Sequence, residues 1–297
     1  MKRFLTLFLC VAALALGDVR GQQSLQISEL MFNPVPSGAD WLERYNSADH
    51  EVSLADVRLV RWVGDSLGRF YAIDSVLVGP NDYVVITTDA TFLMANYGVR
   101  YPGKVVQVSS MPAYNDASGT VILALRDSTI IDRFDYTATM HSQLLRDKEG
   151  VSLERRSFDR PTQEPSNWYS ASSTSGYGTP TYANSQSTEF LFLDNDFSLS
   201  TDIVSPDGDG YNDQLDITYN LNDNTLAANI TLFDRTGRVV RTLCRGALLG
   251  SVGVVTWDGA DNRGRACLPG RYVVAIELYN TTGRSQTIKR TVAVMTH

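Results

Sequence analysis

Apolar and polar residues alternate over short runs along most of the chain, a period of two that is typical of half-buried β-strands. Clusters of Gly, Pro, Asn and Asp separate the runs and favour turns. Repeated short strands of this kind indicate a β-sandwich. In the first half the predicted strands include Leu25–Met31, Val57–Trp62, Tyr83–Thr87, Thr120–Leu125, Thr129–Tyr136 and Val151–Arg155.

The same alternation resumes in the second half and predicts a second sandwich. One short helix interrupts the first half at Thr91–Tyr97, after the cap-like Asp89. The strands of the second half are predicted at Asp216–Leu221, Asn229–Asp234, Val239–Leu243, Val252–Trp257, Tyr272–Tyr279 and Thr287–Val294.

A segment dominated by Ser, Thr, Gly, Tyr and Asn, Ser170–Ser187, lies between the two sets of strands. Its glycines and Pro180 interrupt strand pairing, so we place the domain boundary there. The predicted organisation is a first domain at 22–187, a linker at 188–200 and a second domain at 201–297.

The first 21 residues have the pattern of a secretory signal peptide. Lys2 and Arg3 precede an apolar run from Phe4 to Leu16, and small and polar residues follow, with cleavage expected after Gly21. The run is too short to span a bilayer, and no later stretch is longer. The sequence therefore predicts an exported protein without a transmembrane segment.

The chain has few of the residues that build active sites. Its formal net charge of −7 argues against unspecific nucleic-acid binding. His50, His141 and His297 show no spacing that would form a catalytic triad or a zinc site, and no phosphate-binding glycine loop is present. Glu29 and Glu43 could form a carboxylate pair for acid/base catalysis. The alternative is that both glutamates have structural roles.

Two cysteines, Cys244 and Cys267, remain in the chain after the predicted cleavage. An exported protein enters an oxidising compartment, so an even pair in one domain is a disulfide candidate, worth about 3 kcal/mol in the chain-entropy model. Two buried free thiols are the alternative.

An acidic turn in the second domain, Ser205–Asp213, combines carboxylates with glycines. It lies in a stretch, between Arg160 and Arg235, that contains no Lys or Arg. Hard oxygen ligands on a tightly curved backbone suit Ca²⁺, whereas Asx hydrogen bonds without metal are the alternative. The candidate calcium ligands are Asp207, Asp209, Asn212 and Asp213.

Several motifs follow one another through the first domain: Ile27–Pro34, Asp40–Asn46, Val52–Val57, Ser152–Arg155, Asn167–Trp168 and Gly178–Ser185. Together they resemble the lamin tail domain, an Ig-like sandwich found in nuclear lamins and in many bacterial surface and secreted proteins. Asp40 and Arg44 stand where Glu and Leu are commoner in that family, so we expect one face to be more polar than usual.

The second domain carries its own set of motifs: Ser205–Asp213, Ile230–Arg241, Trp257–Gly259 and Pro269–Tyr272. They resemble the gliding-motility-associated C-terminal domains linked to type IX secretion, and the Ig-like module of the flagellar hook cap. In type IX cargo such domains are export and surface-attachment signals. The resemblance thus implies that this domain is an export or attachment signal. The alternative is that it stays in the mature protein as a binding surface.

These observations predict an all-β protein of two Ig-like β-sandwich domains in tandem after a signal peptide. The resemblance implies a non-enzymatic binding, adaptor or assembly component in the periplasm, at the outer-membrane periphery or on the cell surface. Its expected partner is a protein of the outer membrane or cell surface, with a glycan possible and no nucleic acid. Two alternatives are an accessory binding module or weak hydrolase acting on an extracellular polymer, and a calcium-stabilised spacer.

Overall fold

The computed structural model describes residues 24–190, 194–223, 225–283 and 285–295, and these form two compact units. Their regular structure is nearly all β-strand, which confirms the predicted class of two tandem β-sandwich domains. The predicted signal peptide at 1–21 and His297 lie outside the described residues. No helix in the described ranges is long and apolar enough to cross a membrane.

The first unit comprises residues 24–141, 148–170 and 177–184. It contains twelve strands and one α-helix, α1 (Ala90–Asn96). The strands are β1 (Leu25–Met31), β2 (Trp41–Asn46), β3 (Val52–Ser53), β4 (Val57–Val63), β5 (Ser66–Ala72), β6 (Leu77–Val78), β7 (Asp82–Thr87), β8 (Val105–Gln107), β9 (Ser118–Leu125), β10 (Ile130–Thr137), β11 (Leu153–Arg155) and β12 (Trp168–Ser170).

Two sheets of the first unit enclose its main core. One has the order β12-β11-β1-β2-β7-β8, antiparallel except for the parallel pair β7 and β8, and the other has the order β10-β9-β4-β5. Alternate side chains such as Leu42, Leu59 and Leu123 point between them and are fully buried. Strands β3 and β6 form a separate two-stranded ribbon.

Helix α1 covers the outer face of the six-stranded sheet. Asp89 is its N-cap, and the Asp89 Oδ1 accepts a hydrogen bond from the Phe92 amide at 2.8 Å, which agrees with the predicted cap. Leu93 packs with Trp41 in a second apolar cluster, on the side of the sheet opposite the main core. The outer face of this sheet is therefore also buried.

The second unit comprises residues 142–147, 171–176 and the chain from 185 onward. Its strands are β13 (Asp196–Leu199), β14 (Ile203–Val204), β15 (Leu215–Asn220), β16 (Ala227–Asp234), β17 (Val239–Leu248), β18 (Val252–Trp257), β19 (Gly270–Tyr279) and β20 (Ser285–Val294). They form two sheets, with the orders β13-β15-β18 and β14-β20-β19-β16-β17. Trp257 and Tyr219 are fully buried in the core of this unit.

The structure differs from the predicted linker at 188–200. Strand β13 lies in that range and pairs with β15, with Phe197 opposite Tyr219 and buried in the core. Residues 171–176 also belong to the second unit, where the Ser172 hydroxyl donates to the Leu248 carbonyl at 3.0 Å. The largely polar composition of these segments masked Phe197, the one residue of β13 that is buried in the core.

Candidate functional site

Three glutamates lie side by side on the outer face of the six-stranded sheet of the first unit. In the strand register Glu29 of β1 stands opposite Glu43 of β2 on one side and opposite Glu154 of β11 on the other. A β-bulge between Ile27 and Glu29 turns Glu29 away from the main core, although Ile27 and Leu30 both belong to that core. All three glutamates are fully buried.

Residues 177–184, which we call the closing segment, cover these glutamates. The amide of Thr179 donates to Oε1 of Glu29 at 3.0 Å, and its hydroxyl donates to Oε1 of Glu154 at 2.8 Å. The amide of Thr181 donates to Oε2 of Glu43 at 2.6 Å. Each carboxyl group thus holds part of the closing segment against the sheet.

The second layer of hydrogen bonds completes this arrangement. Ser152 donates its hydroxyl to Glu29, and Ser28 donates its own to Oε1 of Glu43 at 3.0 Å. The amide nitrogen of Asn184 donates to the carbonyls of Ser28 at 3.0 Å and Arg155 at 2.8 Å. Hence the end of the closing segment is fixed to the backbone of two strands.

Burial controls the protonation of the cluster. It raises the pKa of Glu29 well above its ordinary value, and the neighbouring Glu154 charge raises it further. Burial also raises the pKa of Glu43 well above its ordinary value, with the Glu29 charge as the next cause. The cluster therefore retains protons that isolated glutamates would lose.

A catalytic carboxyl must lie within hydrogen-bond reach of its substrate, and these glutamates are not exposed to one. Glu29 and Glu43 are neighbours, as the hydrolase alternative required, but they are fully buried and hydrogen-bonded to the protein's own chain. Their position gives them a structural role in holding the closing segment.

The acidic turn of the second unit brings three carboxylates together between β14 and β15. One ligand atom from each of Asp207, Asp209 and Asp213 lies within 4.8 Å of the others. Gly208 and Gly210 have φ angles of 82° and 87°, which a residue with a Cβ adopts at a cost. The predicted carboxylate ligands are therefore gathered on a tightly curved loop.

The same carboxylates also hold the turn itself. Asp213 accepts from the amides of Gly208 at 2.6 Å and Gly210 at 2.8 Å, and Asp209 accepts from the amide of Tyr211 at 2.7 Å. A carboxylate oxygen that accepts one hydrogen bond keeps a second lone pair, so the donor set also fits Ca²⁺.

Asn212, the fourth predicted ligand, contributes to the backbone of this turn. It has a left-handed φ of 55°, and its carbonyl accepts from the Ser205 amide at 2.8 Å. The calcium site remains a prediction for all four residues.

The predicted disulfide is not formed in the structure, where both cysteines are free. Cys244 lies on β17 opposite Ile230 of β16, half-buried, whereas Cys267 is buried in the loop before β19. The pairing stays a prediction.

The arginines around β17 serve local contacts. Arg238 forms an ion pair with Asp234 at 3.0 Å, and Arg241 donates to the Asp261 carbonyl at 2.7 Å. Both side chains are therefore engaged by the protein's own chain.

Comparison with protein families assigns both units. The model of the Lamin Tail Domain matches residues 19–138, and the model of the CHU_C Type IX secretion signal domain matches residues 198–294. The chain carries both domains in tandem. Strands β11 and β12 and the closing segment lie beyond the matched range of the lamin tail domain, yet they belong to the same compact unit.

Similarity to individual proteins is much weaker. No curated protein sequence matches the chain. FlgD from P. aeruginosa is 19% identical over 35% of this chain and 76% of its own, with a TM-score of 0.25. PorZ, titled an essential bacterial surface component of the type IX secretion system of Porphyromonas gingivalis, is 14% identical over 91% of this chain and 30% of its own, with a TM-score of 0.28. We transfer no function from either protein.

Proposed function

We propose that this protein is a non-enzymatic, exported component of the cell envelope. In this account the secretion signal domain directs the chain through type IX secretion or attaches it at the surface, and the lamin tail domain binds a partner. The observation that carries the proposal is the match of the second unit to a type IX secretion signal domain. The burial of Glu29 and Glu43 in the first unit supports the non-enzymatic part.

The partner we propose is a protein, and strand addition is the mode of binding that the sheet edges favour. Strand β18 ends the three-stranded sheet of the secretion signal domain and contains no charged residue and no proline. Val252 and Val254 on this strand are 40% and 48% exposed. An uncharged edge with exposed β-branched side chains is suited to pairing with an incoming strand.

The edge that β17 forms on the other sheet of the same domain is protected. Strand β17 ends the five-stranded sheet, carries Arg241 and Arg245, and shows three register shifts against β16. Bulges and charges of this kind discourage strand addition. The contrast makes β18 the docking strand in our proposal.

Recovery of partners from envelope fractions tests the binding role. Mild crosslinking of the tagged full chain in cells, followed by purification, is expected to recover outer-membrane or surface proteins. Recovery of a glycan alone, or turnover of polysaccharides, nucleic acids or phosphoesters that Glu43→Gln abolishes, would contradict the proposal.

The second proposal concerns the acidic turn, where Ca²⁺ would be held by Asp207, Asp209 and Asp213 together with backbone carbonyls or water. The gathered carboxylates favour it. In that case the cation stiffens the loop that joins β14 to β15, which is a structural role and not a catalytic one.

A further inference from the structure

Arg44 is a charged residue inside the main core of the lamin tail domain. It lies on the same face of β2 as Leu42, because side chains two apart on a strand point the same way. Its partners in the register, Ile27 of β1 and Val84 of β7, both belong to that core. The Arg44 side chain is fully buried.

The guanidinium of Arg44 has no hydrogen-bond partner in the part of the chain that the structure describes. Its Nε, Nη1 and Nη2 atoms are all buried and unpaired. A guanidinium can only donate, and an unpaired charge in an apolar core is strongly destabilising. A group that accepts hydrogen bonds is therefore needed beside it.

A second buried arginine of the same domain shows the usual solution. Arg155 donates from Nε to the Ser157 carbonyl at 3.1 Å and from Nη2 to the Arg160 carbonyl at 2.7 Å. It also lies 3.6 Å from Asp132. Every nitrogen of Arg155 has an acceptor, the third being the Ile27 carbonyl at 3.3 Å, whereas Arg44 has none.

Asp132 is the acidic group whose charge acts most strongly on Arg44, but it makes no hydrogen bond to the Arg44 guanidinium. Its Oδ2 accepts from the Ile27 amide at 2.8 Å and faces Arg155 at 3.6 Å. Burial lowers the pKa of Arg44 to about 9, which still leaves the guanidinium charged at neutral pH. One positive charge in this core is thus without a counter-ion in contact.

Tyr114 supplies a second unpaired donor close to the first. Its hydroxyl is buried and has no partner in the described ranges, although the neighbouring Tyr136 hydroxyl donates to the Asn115 carbonyl at 2.9 Å. Arg44 and Tyr114 are near enough for each to shift the pKa of the other. The Tyr114 carboxylate neighbour, Asp40, accepts from the Tyr114 backbone amide at 3.1 Å, so the guanidinium and the hydroxyl remain as two unpaired groups that can both donate to an anion.

We propose that the core of the lamin tail domain binds a small monovalent inorganic anion, such as chloride, between the Arg44 guanidinium and the Tyr114 hydroxyl. One negative charge balances one guanidinium. The lining from Leu42, Ile27 and Val84 is apolar, so it cannot satisfy the additional oxygens and charge of phosphate or sulfate. The ion is a structural counter-charge, comparable to a buried ligand that binds only the folded state.

Bromide substitutes for chloride and scatters anomalously, so it is the direct probe. Crystals of the full chain grown or soaked in sodium bromide are expected to show one anomalous peak beside Arg44 and Tyr114. The peak is expected to be absent from Arg44→Leu, in which leucine matches the apolar neighbours. Ordered water without an anomalous peak in the wild-type protein would overturn the proposal.

Thermal unfolding provides an independent readout on the full chain. Replacing sodium gluconate by sodium chloride at constant ionic strength is expected to raise the unfolding temperature of the wild type by several degrees. Arg44→Leu is expected to lose this shift and Tyr114→Phe to reduce it. The control Arg61→Leu, at an exposed position of β4, should keep it. Equal shifts in the wild type and Arg44→Leu would contradict a site at Arg44.

Discussion

The backbone amide of Thr181 donates to Oε2 of Glu43 at 2.6 Å, and this bond joins residues 138 positions apart. Thr181 has a φ angle of 77°, a left-handed conformation that is costly for a β-branched residue. Its hydroxyl oxygen accepts from the amides of Arg100 at 3.1 Å and Tyr101 at 3.0 Å. Several bonds thus hold this strained backbone over the buried glutamates.

Substitution of Glu43 should separate hydrogen bonding from charge. Glu43→Ala removes the acceptor of the Thr181 amide and leaves a buried cavity. We therefore expect the free energy of unfolding to fall by about 2–4 kcal/mol. Glu43→Gln keeps an acceptor oxygen and resembles the neutral carboxyl, so its loss should be below about 1 kcal/mol. Urea unfolding followed by tryptophan fluorescence measures both, and equal losses would show that the charge itself is required.

The raised pKa values of Glu29 and Glu43 predict a pH dependence with a definite sign. A carboxyl whose folded-state pKa lies above its unfolded value contributes stability that is complete below about pH 4.3 and is lost as the pH rises through the folded-state pKa. The stability of the wild type relative to Glu29→Gln/Glu43→Gln should therefore fall as the pH is raised from about 4.3. The exposed control Glu51→Gln should follow the wild type. A wild-type stability that rises with pH relative to the double variant would refute the burial argument.

Calcium binding to the acidic turn can be measured by calorimetric titration of the full chain. We expect a dissociation constant of about 10⁻⁴ to 10⁻³ M, as in extracellular modules with exposed carboxylates. Asp209→Ala should remove the binding heat, because the cluster then retains only Asp207 and Asp213. The control Asp202→Ala lies outside the cluster and should bind as the wild type does. Absence of heat in the wild type would leave the Asx hydrogen bonds as the whole function of the turn.

The docking role of β18 predicts an asymmetric response to a charge at the sheet edges. Val254→Lys places a lysine on the edge that we propose for strand addition and should lower crosslinked partner recovery about tenfold, equivalent to ~1.4 kcal/mol. Val239→Lys on β17 alters a residue of similar exposure, 54% against 48%, on the protected edge. Its recovery should match the wild type, and equal effects of both variants would count against β18.

Much of the fold could be predicted from the sequence because alternation reports directly which side of a strand is buried. The predicted strands Leu25–Met31 and Val252–Trp257 agree with the structure at both ends, and the helix begins one residue earlier than predicted. Strand β13 escaped prediction because it is only four residues long and begins at Asp196, although it pairs with β15 and buries Phe197 in the core.

The sites were predictable only where local spacing determines them. Asp207, Asp209 and Asp213 are close in sequence, so the turn brings them together. Glu154 and the closing segment meet Glu29 through pairing over more than a hundred residues, and no local pattern reports that register. The substitution of Arg44 for an apolar residue predicted a more polar face, whereas the structure places Arg44 on the core face of β2 beside Leu42.

Export of this chain by type IX secretion is tested by the location and mass of the full chain in a bacterium with a functional type IX secretion system and in an isogenic strain that lacks the secretion channel. If the second domain directs the chain into this route, we expect protease-accessible protein at the cell surface in the first strain and protected, periplasmic protein in the second. The same location and mass in both strains would contradict this function of the second domain.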